Sequence, residues 1–237
     1  MQKILSEIRK TLRNSSDEKT REGFSRFFKK GEEALFYGVK SIEIRRIGNA
    51  YKTQIKGKTK KEIFDICEFL WKSQYYEEAI IACMFTEFLH KKYAPSDFKI
   101  FEHWVNNYVN NWADCDTLCN RTIGTFIMKY PEYLGELKRW ATSSKRFVKR
   151  ASAVTLIIPA RKGLFLKDIF EIADILLLDK DDLVQKGYGW MLKVAGQTYE
   201  KEVFDYVMSK KTVMPRTALR YAIEKMPKDL RAEAMKK

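Results

Sequence analysis

Five prolines and eleven glycines are few for a chain of 237 residues. Their scarcity excludes a loop-rich β protein and favours helices. Histidine is scarcer still, represented only by His90 and His103. The four cysteines, Cys67, Cys83, Cys115 and Cys119, form no C-x-x-C pair. Structural zinc needs four ligands at tighter spacings, so no metal and no cofactor is expected. Cys115 and Cys119, one helical turn apart, read as small buried hydrophobes, and free thiols fit a reducing cytoplasm. Long apolar runs are missing too. ADILLL at 173–178 is far too short to span a bilayer, and the charged, amphipathic start MQKILSEIRKTL does not read as a signal peptide. No membrane partner is expected.

What is present is apolar surface and positive charge. Hydrophobic residues make up 45% and aromatic residues 14%, enough for a real core rather than disorder. Lys and Arg number 45 against 31 Asp and Glu, a formal charge of +14. That excess suits an acidic polymer such as nucleic acid, because a basic surface attracts phosphates over long range. The plainer reading is a protein of high pI with scattered lysines.

Nearly every segment carries helical spacing. KKEIFDICEFLWKS (60–73) places Ile63, Phe64, Ile66, Cys67, Phe69, Leu70 and Trp71 on one wide stripe. The following stretch, 75–93, is almost apolar through its middle and predicts a buried helix. Further helices are expected at 2–14, 17–30, 41–56, 97–109, 114–129, 132–141, 145–158, 165–177, 181–195, 199–209 and 215–225. Short breaks separate them (APSD at 94–97, YPE at 130–132, ARKG at 160–163, LDKD at 178–181), and Asp, Ser or Thr stands at many of the starts. ASAVTLII (151–158) is the one stretch β-branched enough to raise the question of a strand.

A faint repeat links late segments. RFVKRASAVTLI (146–157) and DLVQKGYGWMLK (182–193) align at a shift of about 36 residues, within the range of helical-repeat units. Arg150 falls on Lys186 and Ala151 on Gly187; Glu78 and Ala79 lie at twice that shift. Small residues let neighbouring helices approach closely. Unless the likeness is chance between amphipathic helices, the expected fold is all-α, an α-solenoid with one continuous core and a concave face, in a single domain over 1–237.

Three groups of residues stand out. Trp112 and Asp116 are four apart and share a helix face. Asp114 and Asp116 also suit a first helical turn, where the dipole favours acids. In SSKRFVKRAS (143–152), Arg146 and Arg150 share one face and Lys145 and Lys149 another. That is either a solvated helix face or a phosphate clamp, for which the planar fork of Arg is suited. Trp190 stands beside Gly187 and Gly189, and mid-helix glycine costs about 1 kcal/mol. Close packing or close approach of a ligand must account for it, with Trp190 either in the core or at a site. Lys193, three positions on, is within reach of a backbone phosphate.

Four stretches, in this order, are RFFKKGEEALFYGVKSIEIRR (26–46), NWADCD (111–116), KRASA (149–153) and QKGYGWML (185–192). Together they resemble the AlkD-type DNA alkylation repair glycosylases, and the resemblance implies that the α-solenoid is one of HEAT-like helical repeats with a concave, basic DNA-binding face. The resemblance covers most of the chain, best from about 20 to 225. By motif it puts the three active-site residues on Trp112, Asp116 and Trp190, and the Arg that contacts the DNA backbone on Arg150. The expected DNA-binding residues are Arg150, Phe27, Lys193, Arg45 and Lys149. This chain departs from the pattern at Phe27, where characterised members carry Tyr, at Asn111, which replaces the first of two adjacent Trp, and at Ile42, which replaces a Pro.

The resemblance implies a monofunctional DNA glycosylase that excises N3- or N7-alkylated, cationic purines from duplex DNA without a base-flipping pocket. Asp116 would stabilise positive charge on the deoxyribose and orient water, and Trp112 and Trp190 would hold the sugar between aromatic faces. It implies a monomer with no obligate protein partner, at the nucleoid of the cytoplasm. Two other functions fit the same scaffold: a non-catalytic binder of DNA structure, and a protein-interaction scaffold.

Overall fold

The computed structural model describes residues 1–26, 28, 32 and 34–236, with only the backbone described for Ser25. The chain forms two compact units, Met1–Leu118 and Cys119–Lys237. The first holds α1 (Gln2–Asn14), α2 (Glu18–Ser25), α3 (Ser41–Ile55), α4 (Lys60–Lys72), α5 (Tyr76–Phe88), α6 (Phe98–Asn107) and α7 (Trp112–Thr117). A π-helical turn, Leu118–Ile123, carries the chain onward. The second unit holds α8 (Gly124–Lys129), α9 (Leu134–Ala141), α10 (Arg146–Val154), α11 (Ile157–Arg161), α12 (Leu166–Leu176), α13 (Asp182–Ala195), α14 (Glu200–Lys210), α15 (Arg216–Ala222) and α16 (Lys228–Met235). No strand occurs among the described residues; a single bridge pairs Leu35 with Tyr75. The all-α class expected from the periodicity is the observed one.

Local chemistry sets many of the boundaries. Thr59 and Glu62 form a capping box that starts α4, with Thr59 Oγ1 accepting from Glu62 N and Glu62 Oε2 accepting from Thr59 N. Asp17 caps α2 through Thr20 N, and Asp181 caps α13 through Leu183 N. Other boundaries differ from the periodic reading. The helix expected over 17–30 stops at Ser25, and 75–93 divides into α5 and a 3₁₀ turn at His90–Lys92. The segment 145–158 breaks after Val154 and resumes as α11. Pro159 explains the restart: it occupies the third position of α11, where a missing N–H leaves no helical bond unmade. The β-branched stretch 151–158 is thus helix end and helix start.

Each unit stacks its helices in two rows. In the first, α3 packs against α1 and α5, α5 against α7, and α4 backs α1 and α5. In the second, α10 packs against α13 and α13 against α15, while α9 and α12 back α10. This is the packing of helical repeats, each element burying its stripe against the next. The α10–α13 pair is the repeat read from the sequence, and its two glycines serve packing. A Cβ on Gly187 would lie 3.3 Å from Arg150 Cγ, and one on Gly189 only 2.7 Å from Tyr221 Cβ and 2.8 Å from the Ala218 carbonyl of α15. Gly189 therefore allows α13 and α15 to touch at the backbone, which outweighs its cost in helix propensity.

Two buried glutamates at the start of α5 organise the first unit. Both Glu77 and Glu78 are 0% exposed. Glu77 accepts three backbone N–H bonds, from Tyr37 at 3.1 Å, Gly38 at 2.9 Å and Val39 at 3.1 Å. Glu78 accepts from Arg9 Nε and Nη2, each at 3.1 Å, and from the Tyr37 hydroxyl at 2.7 Å. A segment without secondary structure is thereby pinned to a helix. Its buried donors find acceptors that no sheet or helix supplies.

Candidate active site

The stretch NNWADCD forms the start of α7. Asn111, 1% exposed, is the N-cap: its Oδ1 accepts from Asp114 N at 2.9 Å, and its Nδ2 donates to Asp114 Oδ2 at 2.6 Å. Asn110 in turn donates to Gln74 at 2.6 Å. The residue that replaces a Trp of the family pattern thus acts as a helix cap. Because α7 begins at Trp112, Asp114 lies in the first turn but Asp116 lies beyond it. The dipole argument therefore applies to Asp114 alone.

The two acids have different environments. Asp114 is buried, and its Oδ1 has no hydrogen-bond partner. Burial pushes its carboxyl up to about 7; the Asn111 hydrogen bond opposes this and nearby Glu77 adds to it. Asp116 is half-buried on the same face as half-buried Trp112, one turn away, while Ala113, Asp114 and Cys115 between them are buried. An anion that acts on a ligand must be ionised and reachable. Asp116 keeps partial exposure, whereas Asp114 is 4% exposed.

The raised Asp114 carboxyl has a consequence for stability. The unfolded chain loses this proton near pH 4, whereas the folded protein holds it to about pH 7. The folded state binds more protons in that window, so this group lowers stability as pH rises from about 4 to about 7. Asp114→Asn keeps an acceptor for Asn111 and removes the titration. The stability difference between variant and wild type, measured by denaturant unfolding, is expected to grow in the variant's favour from pH 4 to pH 8. A difference that does not change with pH would sink this account.

A chain of aromatic rings leads away from Trp112 within the first unit. Phe28 stacks on it with ring centroids 5.8 Å apart and planes at 20°. Phe28 also meets Phe36 at 5.1 Å, and Phe36 meets Tyr76 at 5.8 Å. Glu32 Oε1 accepts from Trp112 N at 3.4 Å, at the helix start. The Tyr76 hydroxyl is pushed up to about 12, chiefly by burial and further by Asp114 and Glu77, with Arg45 opposing. Sequence reading missed Phe28 and Glu32. Both lie in the 26–46 anchor, but nothing local distinguishes Phe28 from its neighbour. Phe27 lies outside the described residues. Arg45 is exposed on α3, and Ile42, at the position of the family's Pro, is 79% exposed.

On the second unit, Trp190 is half-buried on α13, between buried Gly189 and Met191. The other three tryptophans, Trp71, Trp104 and Trp140, are at most 1% exposed. Of five tryptophans, the two left partly exposed are the two singled out by motif. The basic run of α10 is engaged with the start of α13. Arg146 pairs with Asp181 at 2.5 Å, Lys149 pairs with Asp179, and Arg150, 5% exposed, donates from Nη1 to the Leu183 carbonyl. Lys193 pairs with Glu224 at 2.9 Å and lies over the Tyr221 ring. A phosphate would compete with the carboxylates and the Leu183 carbonyl now holding these cations.

All four thiols are buried and unpaired with one another. No helix among the described residues is long and apolar enough to cross a membrane.

Comparison with known proteins agrees with this fold. A solved structure described as a predicted DNA alkylation repair enzyme from Enterococcus faecalis shares the fold, with a TM-score of 0.79 and 14% identity, over 90% of this chain and 98% of that one. No curated protein matches in sequence. The profile of the DNA alkylation repair enzyme family matches residues 8–226, which takes in α7, α10 and α13. With that match running through nearly all of its helices, the chain belongs to the DNA alkylation repair enzyme family.

Proposed function

We propose that this protein is a monofunctional glycosylase that releases N3- and N7-alkylated purines from duplex DNA, acting as a single repeat domain and as a monomer. The observation that carries the proposal is the pairing on α7: a half-buried carboxylate, Asp116, one turn from half-buried Trp112. An alkylated purine is cationic and leaves readily. Breaking its bond to the sugar puts positive charge on the deoxyribose. A carboxylate held on a capped helix opposes that charge without reorganising and orients the attacking water. The faces of aromatic rings also favour a cation, which gives Trp112 its role; Trp190 offers the same kind of face from the second unit. Phe28 and Glu32 hold Trp112 in place.

Affinity for the duplex would come from cations. Arg45 is exposed and available to a phosphate. Lys193, Lys149 and Arg150 contact the backbone by exchanging their present partners for phosphate oxygens, and Phe27 is assigned to the same surface. The test is incubation with N7-methylated duplex DNA, with released base and binding scored separately. Release of 7-methylguanine is expected. Binding without release would identify a DNA-structure binder, and neither would leave a protein scaffold.

A further inference from the structure

The last two helices of the second unit enclose a cleft of about 420 Å³ that no catalytic role uses. Three cations line it: Arg220 of α15, and Lys228 and Arg231 of α16. Ile223 and Met235 provide apolar wall. Among the described residues none of these three cations is in an ion pair, and Arg231 Nε is buried with no hydrogen-bond partner. A buried donor left unmade costs about 1–3 kcal/mol, and with none of the three cations in an ion pair the cleft carries uncompensated positive charge.

The acid on its rim is already occupied. Glu224 accepts from Lys193 at 2.9 Å and pairs with Lys225 at 3.5 Å, and the Lys193 bond holds its carboxyl below the usual range. The carboxylate that lines the cleft is therefore already engaged with Lys193 and Lys225 and pairs with none of the three cations. The wall is fixed as well. Arg216 Nη2 donates to the Met235 carbonyl at 3.3 Å and Lys211 Nζ to the Glu233 carbonyl at 3.2 Å, which ties down the end of α16. Through Glu224 the cleft adjoins Lys193, one turn from Trp190 on α13. Lys228 and Arg231 lie beyond residue 226, where the family profile ends.

We propose that this cleft binds a backbone phosphodiester of duplex DNA, at a nucleotide other than the damaged one. Guanidinium donors match phosphate oxygens in a plane, and the apolar wall suits the deoxyribose beside them. The proposal rests on the reading that duplex DNA is the ligand. It does not rest on base release.

The experiment is a salt titration of binding by the full chain to a fluorescein-labelled, undamaged duplex of about 30 base pairs, where each lost phosphate contact flattens the log–log slope by about 0.9. Arg231→Gln is expected to flatten it by about one such contact and to weaken binding several-fold at low salt. The double variant Arg220→Gln/Lys228→Gln alters only exposed side chains and keeps the test valid if Arg231→Gln fails to fold. A wild-type slope in the folded variants overturns the proposal. So does a melting temperature raised by inorganic phosphate in wild type but not in the variants, alongside an unchanged DNA slope, which would mark a free-phosphate site instead. Base release from methylated duplex is read separately. A flattened slope without release leaves the cleft standing and removes the glycosylase reading, and release with an unchanged slope does the reverse.

Discussion

Asp116→Asn is expected to bind duplex DNA as wild type does and to release 7-methylguanine about 100- to 1,000-fold more slowly, the range seen when one preorganised electrostatic group is removed. Asparagine keeps the shape and the hydrogen-bonding capacity of the side chain and deletes only its charge. The loss should therefore appear in the rate of release and not in affinity, because the charge matters where the sugar becomes cationic. Measured under single-turnover conditions, wild-type release by Asp116→Asn would remove Asp116 from the mechanism. Asp114 would be a poor replacement. It is 4% exposed, is tied to Asn111, and has a carboxyl pushed up to about 7, so near neutrality much of it carries no charge. The same variant also guards against a misleading assay: contaminating activity would not respond to one carboxylate on α7.

Glu77→Ala is expected to be the most damaging single substitution for stability. It strips the acceptor from the Tyr37, Gly38 and Val39 amides at once, in a site with no access to water. At about 1–3 kcal/mol for each of three orphaned donors, the loss is roughly 3–9 kcal/mol. That compares with about 5–15 kcal/mol for a whole domain. Glu77→Gln retains an acceptor oxygen and should recover part of it. Denaturant midpoints should fall in the order wild type, Glu77→Gln, Glu77→Ala. A midpoint for Glu77→Ala within about 1 kcal/mol of wild type would show that water replaces the carboxyl, contrary to the burial. The damage should extend to the site. Phe36 adjoins Tyr37, and its ring contacts Phe28, which covers Trp112. Glu77→Gln, if folded, should therefore release base more slowly even though the side chain touches no substrate.

Much of the fold is legible residue by residue. The stripe in 60–73, the capping acid Asp181 and the small residues Ala151 and Gly187 follow from side-chain size and a 3.6-residue period, and local forces realise them as α4, the start of α13 and the α10–α13 contact. The misread boundaries have causes outside that period. The π turn after Asp116 adds a residue to a turn that periodicity counts as regular, and α11 restarts around a proline that reads as a break. The short helix α16 gives no periodic signal, because its run of charges shows little apolar stripe.

By itself the sequence determined the helical class, the repeat, and the order of the motifs that place the chain in its family. Those depend on the period of apolar residues and on short local patterns. It left open which tryptophans are core, which of two acids is buried, and whether the cations of α10 face solvent. Only the tertiary structure decided these. It buries Trp71, Trp104 and Trp140, leaves Trp112 and Trp190 partly exposed, buries Asp114 while leaving Asp116 half-buried, and draws Arg146 and Lys149 to Asp181 and Asp179 some thirty residues on. Burial and ion pairing are set by what packs against a residue from elsewhere in the chain, and helical spacing records only which residues share a face.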